Sequence, residues 1–322
     1  MNEGDARDQS FFGGLIGDGR PLLSITALAL IFSGGFALFL SASGAFLPHD
    51  IDFLGMSPTA LCAINECRIV HFMLHDRFAF GGVLIALGLL YLWLVNFPLR
   101  EKEAWPWWIL AISGLTGFGS FLSYLGYGYL DSWHGLATLF LLPVFGLGLW
   151  LTRPGLNSWR SLLMPGIPVN IRTRAGLGHL CLLLTGLGMI LGGATIMVVG
   201  MSIVFVPQDI AFIGLSPERL AEINPRLIPL IAHDRAGFGG GLMSCGLIVL
   251  LIVWKGLPSR HLWQALLCAG LVGFGCAIGV HYPIGYRDFV HLAPAWLGAA
   301  IFAFGLALSY KPMNFTKTAS QH

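Results

Sequence analysis

The tripeptides His75-Asp76-Arg77 and His233-Asp234-Arg235 gather an imidazole, a carboxylate and a guanidinium at the start of two glycine-rich apolar runs, "FAFGG" and "AGFGG". Such groups can ligate a metal or move a proton, orient a neighbouring ring, and hold an anion. A second pair of motifs, Asp131-x-x-His134 and Asp288-x-x-His291, sets a carboxylate and an imidazole three residues apart, hence on one face of a helix. His71 precedes His75 by four residues and His281 precedes His291 by ten, so seven of the ten histidines, His49 among them, fall in these regions. The set His71, His75, His134, His233, His281 and His291 is expected to supply ligands to a metal ion or a haem iron, with the aspartates orienting the rings.

Two other uses compete with that one. The same groups suit a structural latch that also takes a lipid or a partner protein, or a path for protons or a small solute. An aspartate or arginine at the centre of a membrane helix costs about 2.5–3.5 kcal/mol, so such residues normally face inward and are paired. Neighbours on a helix point about 100° apart, so Asp76 cannot satisfy Arg77, nor Asp234 Arg235. Arg77 is expected to reach Asp131 and Arg235 to reach Asp288, within or across the two halves of the chain.

The stretches "PHDIDFLGMSPTALCAIN" from Pro48 and "PQDIAFIGLSPERLAEIN" from Pro207 share Asp50/Asp209, Gly55/Gly214, Ser57-Pro58/Ser216-Pro217 and Asn65/Asn224. Serine before proline reads as a helix N-cap followed by the first helical residue. Short helices are expected over 59–65 and 218–224, either as structural covers or as lids on a site.

The elements that must position these residues follow from composition. Of 322 residues 56% are hydrophobic and 11% charged, which describes a membrane protein better than a soluble domain. Eight apolar runs, near 22–47, 69–95, 107–128, 133–152, 177–205, 227–254, 263–284 and 288–310, are long enough to cross a core roughly 30 Å thick. The first could pass for a signal peptide, but the run at 177–205 holds the same place in the second half.

At an offset of 159 the outer loops coincide, and after the loss of one residue so do the HDR triplets; further on "GYLDSWH" at Gly128 matches "GYRDFVH" at Gly285. This reads as two tandem four-helix membrane repeats, 22–152 and 177–310, in parallel orientation. A tail over 1–21, a linker over 153–176 and a tail over 311–322 complete the chain. The tails and the connections on their side hold twelve of the 18 Lys and Arg, so both termini are expected in the cytoplasm of a cell with its clusters facing outward from the plasma membrane.

A net charge of +2 gives no field for nucleic acid, and the lipid bilayer is the expected partner. The glycines at three- and four-residue spacing read as close helix packing, and most tryptophans and tyrosines as an interfacial belt, with ring stacking open to Tyr127, Tyr129, Tyr282 and Tyr286. The six cysteines read mainly as small apolar groups, with a Cys62–Cys67 disulfide open to them in an oxidising compartment. Polar residues do not run through the membrane thickness as a transporter needs, which favours an outward chamber for redox or enzymatic chemistry.

Overall fold

A computed structural model describes residues 16–122, 129, 132–167 and 170–315, all of whose regular elements are helical. The main helices are α1 (Arg20–Ala42), α4 (Arg68–Asn96), α5 (Trp105–Leu122), α6 (Ser132–Leu151), α7 (Arg174–Met201), α10 (Leu227–Lys255), α11 (Arg260–Gly279) and α13 (Phe289–Phe315). Shorter ones lie between them: α2 (Pro48–Leu54), α3 (Pro58–Asn65), α8 (Pro207–Ile213), α9 (Pro217–Ile223) and α12 (His281–Ile284).

Among the described residues, six helical segments are long and apolar enough to cross a membrane: α1, α4, α7, α10, α11 continued through α12, and α13. Helices α5 and α6 stand where the other two spans are expected and adjoin 123–131, most of which lies outside the described residues. Boundaries move where turn chemistry overrides hydropathy. The expected span at 22–47 ends at Ala42, because Pro48 opens a new helix, and that at 263–284 breaks after Gly279 into α11 and α12.

Helices α4 and α10, which carry the HDR triplets, are the centre of the bundle, and 67% of an 18-residue apolar stretch of each is buried. Glycines let their neighbours press against them. A Cβ on Gly34 of α1 would stand 2.5 Å from the Gly81 carbonyl oxygen on α4, and one on Gly193 of α7 would stand 2.6 Å from the Gly239 carbonyl oxygen on α10. Contacts also cross between the halves. Ser244 on α10 donates to the Ser113 carbonyl of α5 at 2.8 Å, and Trp93 on α4 donates to His261 on α11 at 2.8 Å.

On the side of the triplets the short helices close the bundle with an apolar core of their own, which includes Phe46, Leu54, Leu61, Phe72, Ile213, Leu220, Leu227 and Tyr286. Ser57 and Ser216 cap α3 and α9, accepting from the amides of Ala60 and Arg219 at 3.2 and 3.3 Å. Asn65 reaches across to the Ile213 carbonyl at 3.2 Å, and Asn224 to the Leu54 carbonyl at 2.8 Å, so each cover is tied to the other. Cys62 and Cys67 form a disulfide at the end of α3.

Candidate functional site

Arg235 is satisfied by residues other than the expected Asp288, and Arg77 has two carboxylate partners among the described residues. Arg77 donates through Nε to Asp234 at 2.7 Å and through Nη1 to Asp50 at 2.5 Å. Arg235 pairs through Nε with Asp76 at 3.3 Å and through Nη1 with Asp209 at 2.6 Å. Each HDR triplet therefore supplies the cation for the other's carboxylate, and the second carboxylate comes from the loop. Asp288 does not meet Arg235; it is exposed and caps its own helix, accepting from the His291 amide at 2.7 Å. Asp131 lies outside the described residues, as does the side chain of His134.

Asp50 and Asp209 were expected in a cover or lid, and sequence reasoning missed that they anchor the network. Both are fully buried. One oxygen of Asp50 takes Arg77 and the Leu47 amide, and the other accepts from Tyr129 at 2.5 Å. Asp209 repeats this with Arg235, the Val206 amide and Tyr286, whose hydroxyl lies 2.7 Å away. Burial alone would raise the Asp209 pKa, but the Arg235 guanidinium, the Tyr286 hydroxyl and the Val206 amide outweigh it and hold the group below the usual carboxylate range. Burial and the Asp209 charge push the Tyr286 phenol well above its ordinary value, so it stays a donor. Tyr129 and Tyr286 are accordingly buried hydrogen-bonding groups and not belt residues. The coincidence of both tyrosines and both aspartates between the halves was the available signal.

Beside this network three histidines converge. His75 of α4, His281 of α12 and His291 of α13 each offer a ring nitrogen, and these nitrogens lie within 4.8 Å of one another. His71 and His233 do not belong to this group. His233 lies against Tyr129, ring centroids 5.0 Å apart, with Nδ1 3.2 Å from Asp234. His71 stands four residues before His75 on α4, outside the set that three elements bring together.

Hydrogen bonds orient two of the three rings. His75 Nδ1 meets the Phe72 carbonyl, which accepts only, so Nδ1 carries the proton and Nε2 the lone pair. The Tyr286 hydroxyl spends its proton on Asp209, so its oxygen accepts from His291 Nδ1 at 3.1 Å, and His291 Nε2 is likewise a lone pair. That nitrogen lies 3.2 Å from His281 Nε2. Two nitrogens bound to one tetrahedral ion at about 2.0–2.1 Å would stand roughly 3.3 Å apart. Asp76 lies at the edge of the set, 3.4 Å from His75 Nε2.

Inward from the histidines runs a cavity of about 730 Å³, walled mainly by apolar residues of α4, α7, α10, α11 and α13 and bounded at its polar end by His75, Asp76, Arg235, His281 and His291. No protein-family model matches the chain, and no curated protein or solved structure matches it. Fold and site define a class: a protein helical throughout its described residues, with the apolar helices of a membrane protein and a largely buried histidine cluster that could hold a metal ion.

Proposed function

We propose that the protein is a membrane metalloprotein in which His75, His281 and His291 hold a first-row divalent ion, with a further coordination position open toward the cavity. The observation that carries this reading is the convergence of three imidazoles from three separate elements, two of them with Nε2 aimed as a lone pair by hydrogen bonds at Nδ1. Three protein ligands and one open position are the pattern of sites that do chemistry, whereas purely structural zinc sites are closed by four. Imidazole suits zinc, copper, iron and nickel alike. A bare ion fits this donor set better than haem, because ligands converging on one point cannot take opposite faces of a porphyrin.

The carboxylates Asp50, Asp76, Asp209 and Asp234 are shared among the guanidiniums of Arg77 and Arg235 and neutral donors such as Tyr129 and Tyr286. Because both arginines are engaged by carboxylates, the Arg/Asp network is a latch between the halves and the histidines are the reactive group beside it.

The chain crosses the plasma membrane eight times in this reading, as two parallel four-helix repeats with both termini in the cytoplasm and the histidines near the outer surface. Support comes from equivalent positions making equivalent contacts: Asp50 with Tyr129 and Asp209 with Tyr286, Asn65 with Ile213 and Asn224 with Leu54. The disulfide in the outer cover accords with an oxidising side.

Titration of chelator-treated protein with Co(II) tests the site. One equivalent should give the visible spectrum of a tetrahedral nitrogen-ligated ion, abolished in His291→Ala and in His281→Tyr, Tyr124 being the residue that aligns with His281 when Gly128 is set on Gly285. A featureless spectrum in the unmodified protein would contradict the reading.

A further inference from the structure

The cavity below the histidines points to what the site acts on. Away from its polar end the wall includes Val83, Met189, Phe238, Leu266, Ile301 and Phe302. Helices α7 and α13 meet closely at their inner ends, where a Cβ on Gly178 would stand 3.0 Å from the Gly305 carbonyl oxygen. Nearer the histidines both helices contribute cavity wall, and the lining residues Leu191 and Leu297 are 60% and 62% exposed. In a bilayer that exposed apolar surface meets acyl chains, so the opening leads into lipid. At the polar end Arg235 spends Nε and Nη1 on Asp76, Asp209 and the Val204 carbonyl, and its Nη2 has no hydrogen-bond partner among the described residues.

We propose that this cavity takes a long-chain fatty acid from the membrane, entering between α7 and α13, with its chain along the apolar wall and its carboxylate between Arg235 and the histidine triad. The volume lies within the roughly 300–1,000 Å³ of sites for one small ligand. The apolar half of the inference stands on the cavity alone. The sign of the head rests on the metal reading: the ion's open position and the Nη2 of Arg235 both take an anionic oxygen, which an ammonium head does not supply.

The test is photolabelling of the full-length protein with a diazirine-bearing palmitate, with labelled peptides mapped by mass spectrometry and metal measured on the same samples. Gly192 lines the cavity, and a Cβ there meets nothing within 4 Å, so Gly192→Phe fills the space without displacing a helix. Gly275→Phe, equally open on the exposed side of α11 away from the cavity, is the control. Label should fall on the α7 and α13 walls, drop roughly 10-fold in Gly192→Phe, hold in Gly275→Phe, and be displaced by palmitate about 10-fold better than by hexadecylamine.

Label spread over the surface and equal in both variants overturns the site, and equal displacement by the amine overturns the carboxylate head. Cavity labelling in protein that never binds metal supports the amphiphile site while contradicting the metal reading. Metal-replete protein without cavity labelling does the reverse.

Discussion

At the scale of residues, the arginines are not interchangeable with the groups around them. Arg77 is shared by two carboxylates, so Arg77→Met leaves both Asp50 and Asp234 buried without a cation, whereas Asp234→Asn leaves Arg77 its bond to Asp50. Breaking a buried pair costs about 3–5 kcal/mol. Arg77→Met should lie at or above the top of that range and Asp234→Asn below it, read as thermal unfolding in detergent. The sequence identified the triplets and the need for outside partners, but it assigned Arg235 to Asp288 and foresaw neither loop aspartate. Asp50 and Asp209 were expected only in a cover or lid, because the helices that begin at Pro48 and Pro207 were not foreseen. A carboxylate has enough lone pairs to accept from a backbone amide, a tyrosine and an arginine together, and only the fold brings those donors to one point.

Among elements, the glycines divide into those that set helix separation and those that line space. A Cβ on Gly193 would sit 2.4 Å from the Met243 amide nitrogen of α10, while one on its neighbour Gly192 meets nothing within 4 Å. Gly193→Ala should therefore destabilise by about 1–3 kcal/mol through overpacking, and Gly192→Ala should change stability by at most about 0.5 kcal/mol or improve it through helix propensity. Comparing the two melting temperatures checks this. Close packing was legible from glycine spacing, and the α3 and α9 caps from Ser-Pro. The break that creates α12 was not foreseen, although Pro283 is a break signal; yet it is this break that brings His281 to His75 and His291.

For the whole molecule, class and helix content follow from composition, while the interlocking of the halves does not. Helix α5 rests on α10 and helix α11 on α4, contacts between segments more than 100 residues apart that hydropathy cannot report. The topology proposed here is testable by fusion: a fluorescent protein joined after Phe315 should fluoresce, and a phosphatase that is active only outside the cytoplasm should work when inserted between α2 and α3 and fail between α10 and α11. The opposite pattern would invert the protein in the membrane and set the disulfide on the reducing side.

The central claim is that three histidines hold one ion, and elemental analysis of protein purified without chelator tests it most directly, beside His281→Tyr and the stability control Gly275→Phe. The account predicts close to one equivalent of a single first-row metal in the unmodified protein and in Gly275→Phe, with loss in His281→Tyr while the variant keeps its elution volume and melting temperature. Folded protein that contains no metal and acquires none on incubation with zinc, iron, copper or nickel would contradict it.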